Sequence, residues 1–418
     1  MGSKSIGELC TRICSGGTPK SGIAEYYEGG AIPWLNTREI NFNRITRTEG
    51  FITEAGLAAS SAKWIKPNAV IVAMYGATAG KCAIAKVPLT TNQACCNLEI
   101  NDSIADYRYI YYWLMAHYSQ VAGLANGGAQ QNLNARQIRE LRIDLPELSY
   151  QKKVSDLVSA LDDAIDLNQR TNDYLESMIE TMLSQLLAGE TNKQVSLGDY
   201  LYIKGRIGWK GLKKSEYLPV SDYRIINGES LTISGINWEK AGFISKERYE
   251  ESPEIMLEVG DILLSKDGTI GKIGYVDELE APTSVASGIF VIRNTRQDEL
   301  STHFIYYLLR SHMFKAFVAG RTEGSVIPHL YQKDFVEFRF PLPDANTMKA
   351  FEDATRPMFD QVIGNTRENK MLGELRDALL PKLMSGEIDV SGVEIPTQPN
   401  NHLCGREVAD DYAARQVL

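Results

Sequence analysis

An internal repeat constrains the fold of this chain more than any other feature of its sequence. The segment 5–8 (SIGE) recurs as 196–199 (SLGD), and 109–114 (YIYYWL) recurs as 304–309 (FIYYLL). From Ile138 onward the repeat continues at a constant offset of 197 residues. The 418 residues therefore predict similar domains in tandem rather than one large domain.

Each half of the repeat consists of a globular segment followed by a long helix. The segments 168–190 and 365–387 align, and both carry apolar residues and Asn at alternating spacings of three and four, as in a coiled coil. Short β-rich runs alternate with loops and one helical run in each globular segment, which predicts a mixed α/β domain. We call these domains the first and second heads. The predicted fold is α+β, with two repeat-related α/β heads joined by two long helices.

The predicted boundaries divide the chain into successive segments. They are the first head at 1–146, the first spacer helix at 147–190, the second head at 191–343, the second spacer helix at 344–389 and a tail at 390–418. The tail is predicted to be mobile because it lacks a hydrophobic pattern.

The long helices are predicted to pair through a seam of apolar and amide side chains. The seam positions are Ile165, Asn168, Asn172 and Leu175 in the first helix, and Val362, Asn365, Asn369 and Leu372 in the second. In an antiparallel pair, residues whose numbers sum to 537 meet, so that Asn172 faces Asn365. A parallel pair would also match Asn with Asn, and the seam alone leaves the direction open. An antiparallel coiled coil is favoured because parallel helices would crowd the heads together.

The net charge of −9 excludes a protein that coats nucleic acid through bulk positive charge. The segment 147–190 has 3 basic and 9 acidic residues, whereas 1–146 has 14 basic and 11 acidic residues. This distribution fits DNA-reading heads on an acidic connector. It equally fits a partner protein that binds the acidic helix faces.

No catalytic or metal-binding motif is apparent. The six cysteines form no CxxC pair and the five histidines lack zinc-ligand spacing, so neither a metal site nor a cofactor is predicted. The segment 76–81 (GATAGK) has too few residues between its glycines for a phosphate loop, and it predicts a strand-ending turn that presents Lys81. The repeat places Lys272 at the equivalent turn. We therefore predict no catalytic residues.

Polar and aromatic loops in both heads predict contacts to nucleic acid. Asn and Arg pair with adenine and guanine edges, whereas Thr, Lys and backbone N–H groups bind phosphates. In the first head the candidate DNA-binding residues are Ser15, Gly16, Gly17, Thr18, Lys20, Trp34, Asn36, Thr37, Arg38, Tyr75, Lys81, Gln130, Gln131 and Asn132. In the second head they are Lys204, Arg206, Trp209, Lys210, Lys213, Lys214, Lys266, Lys272, Arg321, Ser325 and His329.

Over about residues 5–390, the sequence resembles the specificity subunits of type I restriction–modification enzymes. The segments that carry the resemblance are SGGTPKSGIAEYYEGGAIPWLNTREI, YGATAGK, TNQACCNL, QQNLNARQIRELRIDLPEL and LRDALLPKLMSGEI. The second head lacks the GGTP and IPWLNT strings of the first. The helix-entry and LLPKLMSGEI segments are the most specific.

The resemblance implies that the heads are target-recognition domains, each reading one half of a bipartite double-stranded DNA target. It also implies that the helices set the gap between the halves and bind two methyltransferase subunits, and that motor–nuclease subunits join for restriction. S-adenosylmethionine, Mg²⁺ and ATP would then belong to the partner subunits, and this chain would be non-catalytic. We expect a cytoplasmic, prokaryotic protein, since the sequence has no apolar run long enough for a membrane span and its start lacks a signal peptide.

Two other classes of function remain as alternatives. The first is a non-enzymatic coiled-coil adaptor whose heads bind protein, and its binding would depend less on salt than DNA binding does. The second is a free-standing nuclease or methyltransferase, which the missing catalytic motifs argue against.

Overall fold

The structure is a computed structural model that describes residues 2–127, 132–189, 193–206, 211–322 and 329–393. The chain divides into two compact units. The first unit takes Met1–Asp166 and Asn369–Leu418, and the second takes Leu167–Glu368. Each unit therefore contains one head and part of both long helices.

The first head consists of short strands and short helices. Its strands are β1 (Gly2–Ser5), β2 (Cys10–Ser15), β3 (Ile32–Leu35), β4 (Asn43–Ile45), β5 (Gly50–Ile52), β6 (Val70–Ala73), β7 (Cys82–Ala85), β8 (Thr90–Thr91), β9 (Cys95–Ile100) and β10 (Arg142–Leu145). Its helices are α1 (Ile6–Leu9), α2 (Glu54–Ala58), α3 (Tyr107–Ala116), α4 (Tyr118–Gly123) and α5 (Ala135–Glu140). The first long helix, α6 (Leu148–Leu187), follows β10.

The sheets of the first head explain its apolar runs. A five-stranded sheet has the order β2-β9-β6-β7-β4, and a three-stranded sheet has the order β5-β3-β8. Strands β6 and β7 are buried along their whole length, which is why their sequences are apolar at every position rather than alternating. Three tyrosines of α3, Tyr109, Tyr111 and Tyr112, pack in the same core as these strands.

The second head has the same kinds of element. Its strands are β11 (Lys193–Ser196), β12 (Leu201–Gly205), β13 (Tyr223–Ile226), β14 (Leu231–Thr232), β15 (Gly235–Ile236), β16 (Gly242–Ile244), β17 (Ile262–Ser265), β18 (Ile273–Tyr275), β19 (Thr283–Val285), β20 (Ile289–Asn294) and β21 (Arg339–Leu342). Its helices are α7 (Lys246–Glu250), α8 (Thr302–Arg310), α9 (His312–Thr322) and α10 (Gln332–Glu337). The second long helix, α11 (Ala345–Ser385), follows β21.

The sheet orders confirm the repeat. The order β12-β20-β17-β18 reproduces β2-β9-β6-β7, and β16-β13-β19 reproduces β5-β3-β8. The heads differ beside the last strand of the larger sheet. The first head adds β4 parallel to β7, whereas the second has the hairpin β14–β15, which contacts β18.

The long helices run antiparallel within each unit, as predicted. In the second unit, the Asn365 side-chain amide donates to Asn172 Oδ1 at 2.8 Å, and these two residues satisfy the predicted sum of 537. In the first unit, Arg376 on α11 pairs with Asp162 on α6 at 2.9 Å. In the second unit, Asn168 contacts Glu368 and Asn172 contacts Asn365, so residue numbers rise along α6 as they fall along α11, which only antiparallel helices allow.

The second predicted amide pair differs from this pattern. The Asn168 side-chain amide donates to Glu368 Oε2 at 2.9 Å, where the sum of 537 predicts Asn369 as its partner. Among the described residues, the buried Oδ1 of Asn369 accepts no hydrogen bond.

Apolar residues on other turns of the long helices pack into the core of the head in their own unit. Val154 and Val158 of α6 join the first head's core with Leu380 and Leu383 of α11. Ile179 of α6 joins the corresponding core of the second head together with aromatic residues of α11. Of the remaining predicted seam residues, Val362 is buried and Ile165, Leu175 and Leu372 are half-buried.

Of the predicted tail, only 390–393 falls within the described residues. The buried Val390 belongs to the core of the first unit. In the described part of the chain, no helix has the length and the apolar composition needed to cross a bilayer.

Candidate functional site

The strand ends bring most of the predicted loops of the first head to one edge. Ala73 at the end of β6 pairs with Cys95 at the start of β9, so these strands end and begin at the same edge. The parallel strands β3 and β8 end together, where Leu35 pairs with Thr91. The Gly17 N–H donates to the Thr91 carbonyl at 2.9 Å and joins the two sheets there. We call this region the strand-end edge.

The second head repeats the strand-end edge with different side chains. Ser265 at the end of β17 pairs with Ile289 at the start of β20. The parallel strands β13 and β19 end together, where Ile226 pairs with Val285. Here the Arg206 side chain donates from Nε to the Val285 carbonyl at 3.1 Å.

Three residues predicted to contact DNA are buried where the two sheets meet. A Cβ on Gly16 would lie 2.1 Å from the Thr91 carbonyl oxygen, and a Cβ on Gly17 would lie 2.1 Å from the Ala62 nitrogen. Trp34 is 9% exposed, and its indole N–H donates to the Gly17 carbonyl at 2.9 Å. Glycine is needed at both positions because backbones approach closely, and Trp34 fills the core beneath them.

The other predicted residues of this loop are more accessible. Ser15 is half-buried at the end of β2, whereas Thr18 and Lys20 are exposed. The Thr18 hydroxyl is hydrogen-bonded to the Gln93 side chain. This pair places polar groups on the surface of the strand-end edge.

The loop after β3 is held by its own polar side chains. The Asn36 N–H donates to Glu39 Oε1 at 2.8 Å, and its Oδ1 accepts from the Asn92 amide at 3.2 Å. Arg38 forms an exposed ion pair with Glu49 at 2.9 Å. Thr37 opens the 3-10 turn at Thr37–Glu39 and is half-buried.

The turn between β6 and β7 presents an aromatic ring and a cation. Tyr75 is 41% exposed and forms an isolated β-bridge with Asn132. Lys81 closes the turn, and its ammonium group donates to Asn41 Oδ1 at 2.6 Å. The predicted residues Gln130 and Gln131 lie outside the described residues.

A groove of about 420 Å³ lies at the strand-end edge of the second head. Its walls include the predicted residues Lys204, Arg206, Lys266 and His329, together with Gly205, Glu254, Phe290, Tyr331 and Gln332. The Lys266 ammonium lies 5.6 Å from the centre of the Phe290 ring. This cation-rich, partly aromatic lining is suited to a nucleic-acid backbone and base edge.

Arg206 is almost fully buried in the wall of this groove. Its Nη2 donates to the Ser284 hydroxyl at 3.3 Å, and burial lowers the pKa of its guanidinium. Among the described residues, neither its buried Nη1 nor the buried Oε1 of Glu254 has a hydrogen-bond partner. The groove wall therefore contains an unsatisfied donor and an unsatisfied acceptor.

The remaining predicted residues of the second head are scattered. Lys213 and Lys214 are exposed next to a 3-10 turn, and the Lys272 ammonium donates to the Gly228 carbonyl at 2.8 Å. Arg321 is paired with Glu337 and is thus partly neutralised. Trp209, Lys210 and Ser325 lie outside the described residues.

Sequence reasoning missed two exposed apolar pairs on the long helices. Tyr174 and Met178 on α6 are 73% and 49% exposed, and Met371 and Leu375 on α11 are 60% and 48% exposed. The repeat offset of 197 relates the first pair to the second. We call them the α6 patch and the α11 patch. The signal that could have found them is apolar side chains at repeat-related positions outside the seam.

The described residues contain no cluster of three or more His, Cys, Asp or Glu side chains that could hold a metal ion. The cysteines among them are free thiols. Burial raises the pKa of the Cys10 and Cys96 thiols to about 12, which keeps both protonated and unreactive at neutral pH.

The family model described as "Type I restriction modification DNA specificity domain" matches residues 1–177 and again 190–363. The MjaIX specificity subunit of Methanocaldococcus jannaschii is 28% identical over 411 residues, which cover 93% of this chain and 92% of that protein. The EcoR124I/EcoR124II specificity subunit of Escherichia coli is 26% identical over 164 residues, or 38% and 40% of the two chains. The S subunit of a type I system from M. genitalium has a similar fold, with a TM-score of 0.52, 19% identity and coverage of 91% and 95%.

Proposed function

Since the chain belongs to the family of type I restriction–modification DNA specificity subunits, we propose that each head reads one half of a bipartite DNA sequence. In this proposal the chain supplies specificity, and methylation and cleavage are performed by partner subunits. The observation that carries it is the repeated strand-end edge, which presents polar and cationic side chains in both heads.

The two edges support reading of unlike half-sites. The backbone framework is the same, but Gly16 of the first head lies against Thr91, whereas Arg206 of the second head donates a hydrogen bond to the Val285 carbonyl. A shared framework with different side chains is what an asymmetric target requires, because base contacts carry the sequence information.

The α6 and α11 patches support binding of two copies of one partner, which we propose to be the methyltransferase subunit. Each patch has two large apolar side chains four residues apart on one helix face. Repeat-related surfaces offer the same chemistry twice, and exposed apolar groups of this kind mark protein interfaces. The proposed stoichiometry is one methyltransferase per patch.

The test of DNA reading is single-molecule sequencing of methylated adenine in cells that express this chain with its cognate methyltransferase. We expect an interrupted motif that is absent without this chain. Replacing residues 193–343 by the second head of a relative should change one half of the motif and keep the other. No motif from a complex that is folded and co-purifies would contradict the proposal and favour the protein-binding adaptor.

Salt dependence separates these two functions in vitro. If the heads bind DNA through phosphate contacts, the logarithm of the affinity of the complex falls linearly with the logarithm of the salt concentration. An apolar protein interface would show little such dependence. Fluorescence anisotropy with a labelled duplex that contains the motif measures the slope.

The test of the patches is subunit stoichiometry by native mass spectrometry. Tyr174→Ser with Met178→Ser should remove one methyltransferase from the complex, and adding Met371→Ser with Leu375→Ser should remove the second. The control is Lys152→Ser, an exposed position of α6 outside the patches. An unchanged stoichiometry in the fourfold variant would place the interface elsewhere.

A further inference from the structure

The turn at the strand-end edge has the same backbone construction in both heads. In the first head, Tyr75 forms its β-bridge with Asn132, and the Leu133 N–H donates to the Met74 carbonyl at 2.8 Å. The second head has an equivalent bridge and hydrogen bond. There, Asp267 forms a β-bridge with His329, and the Leu330 N–H donates to the Lys266 carbonyl at 3.0 Å.

Glycines in left-handed conformations shape both turns alike. Gly76 and Gly80 have φ values of 73° and 85°, and Gly268 and Gly271 have values of 66° and 90°. These conformations are strained for residues with a Cβ, which explains glycine at each position. The two turns therefore place the side chains that flank them at equivalent points of each head.

The residue that closes the turn is a lysine in both heads. Lys81 closes the first turn and Lys272 closes the second, and both ammonium groups donate to oxygens of neighbouring loops. A flexible ammonium group binds phosphate as a point charge, without regard to base sequence.

The bridge positions carry different side chains in the two heads. Tyr75 and Asn132 occupy them in the first head, and Asp267 and His329 occupy them in the second. The turn therefore keeps its glycines and its lysine, whereas its bridge positions carry polar side chains that differ between the heads. Phosphate contacts position a protein on DNA and can be the same in both heads, whereas base contacts carry the sequence information and must differ between unlike half-sites.

We propose that the two side chains joined by this β-bridge identify a base in each half-site, while the lysine that closes the turn contacts phosphate. This inference rests on the proposed function. It names the positions of the strand-end edge that make base-specific contacts and those that make non-specific contacts to phosphate.

The side chains of the second head favour guanine. The Asp267 carboxylate is paired with Nδ1 of His329 and, at 3.0 Å, with the Lys266 ammonium, and so it orients two groups of the groove. His329 also lines the groove together with Lys204 and Lys266. Guanine presents two acceptors, O6 and N7, in the major groove and therefore suits the ammonium donors of Lys204 and Lys266.

The side chains of the first head favour adenine. A side-chain amide such as that of Asn132 can pair with N6 and N7 of adenine, donating to one and accepting from the other. Tyr75 adds an exposed ring beside it. The two heads thus carry different base preferences on the same framework.

The experiment exchanges the bridge side chains between heads in the full chain, expressed with its methyltransferase. The first variant is Asp267→Tyr with His329→Asn, and the reciprocal variant is Tyr75→Asp with Asn132→His. Methylation is read by single-molecule sequencing on a plasmid library randomised at every position of the wild-type motif. We expect the first variant to reduce the preference at one position of one half-site by at least about tenfold, with the other half unchanged. The reciprocal variant should affect the other half.

Lys272→Ala and Lys81→Ala are the matched controls. Each should lower methylation of all sequences together and leave the motif unchanged. The inference is overturned if the exchanged variants methylate the wild-type motif with wild-type preference. It is also overturned if they lower methylation evenly at all library sequences, since that is the behaviour expected of the lysines.

A misfolded head is recognised by a second pair of variants. Asp267→Asn and His329→Gln are conservative, and thermal unfolding of the purified complex reports whether each remains folded. A folded complex with an unaltered motif in both overturns the assignment in the second head. Failure of the proposed function is distinct, because the wild-type complex would then give no bipartite motif at all.

Discussion

Tyr112 and Tyr307 occupy equivalent positions of the repeat, but among the described residues only the Tyr112 hydroxyl has a hydrogen-bond partner. Tyr112 on α3 donates its hydroxyl to Asp162 Oδ2 at 2.6 Å, and Asp162 also accepts from Arg376. The repeat relates Tyr112 to Tyr307 on α8, whose buried hydroxyl has no partner among the described residues. Phe359, the repeat equivalent of Asp162, lies beside Tyr307 with ring centroids 6.0 Å apart. The second unit thus has the tyrosine hydroxyl, but a phenylalanine stands where the first unit has the acceptor carboxylate.

We expect Tyr112→Phe and Tyr307→Phe to have different effects on stability. Tyr112→Phe removes the hydroxyl donor to a buried carboxylate and should lower the free energy of unfolding by about 1–3 kcal/mol. Tyr307→Phe removes an unsatisfied buried hydroxyl and should leave the free energy of unfolding unchanged or raise it by about 1 kcal/mol. Denaturant unfolding of the full chain measures both. Equal losses in the two variants would mean that Tyr307 has an acceptor.

His303 should make the second unit sensitive to acid. Burial lowers the pKa of its imidazole from 6.5 to about 4, its ring stacks with Phe351 and Phe359, and its Nε2 lies 3.2 Å from the Thr355 hydroxyl. Below pH 6.5 the unfolded chain binds a proton that the folded chain does not bind, so stability is lost as the pH falls from 6.5 towards 4.

Between pH 7 and pH 5, the loss attributable to His303 should be about 2 kcal/mol. Denaturant unfolding of the wild type and of His303→Gln at the two pH values measures it, with the exposed His312→Gln as control. His303→Gln should lose this part of the pH dependence, and His312→Gln should keep it. The same pH dependence in all three proteins would assign it to other groups.

The candidate site could be predicted only in part from residue types. The glycines of 76–81 predict the turn that presents Lys81, and the repeat predicts the equivalent turn at Lys272. Burial does not follow from residue type: Gly16, Gly17 and Trp34 have the composition of a DNA-contacting loop, and the fold buries all three. A polar loop and a close backbone approach use the same glycine-rich sequence, and only the fold distinguishes them.

At the scale of elements, the seam combines amide, ionic and apolar layers. Arg376 interrupts the apolar pattern of α11, and it pairs across the helices with Asp162 at 2.9 Å. Asn172 and Asn365 are 5% and 4% exposed and satisfy each other. Such buried polar layers stabilise less than apolar packing does, but they penalise every other register of the two helices.

Replacing the amide layer should stabilise the pair only if both partners change. We expect Asn172→Leu or Asn365→Leu alone to lower the free energy of unfolding by about 1–3 kcal/mol, because one buried amide remains unsatisfied. The double variant should recover this loss or exceed the wild-type stability. A double-mutant cycle by denaturant unfolding measures the coupling. Additive losses would contradict the hydrogen bond between the two side chains.

The sequence predicts the helices better than the sheets for a physical reason. A helix is a local structure whose seam repeats every three or four residues, so α6 and α11 follow from periodicity. Strand order depends on pairings between distant segments, such as β2 with β9, that no local pattern encodes. Nothing in the periodicity distinguishes β4 of the first head from the hairpin β14–β15 of the second.

At the scale of the whole molecule, both long helices cross from one unit to the other. The boundary between the units falls after Asp166 in α6 and after Glu368 in α11. An insertion at both points adds helix without changing any contact inside either unit. This construction suits the proposed role of the helices in setting the gap between the half-sites.

Four residues inserted after Asp166 and four after Glu368 should lengthen the gap in the methylated motif. Four helical residues add about 6 Å and about 40° beyond one full turn, and one to two base pairs add about 3.4–7 Å and about 35–70°. Because the added rise and rotation match, the half-sites should stay the same while the gap grows by one or two base pairs. Coiled coils accommodate four added residues by local unwinding.

Sequencing of methylated adenine gives the new gap. The control is an insertion in α6 alone, which shifts the seam and should abolish methylation. A gap that stays unchanged in the matched variant would mean that the helices do not determine the spacing.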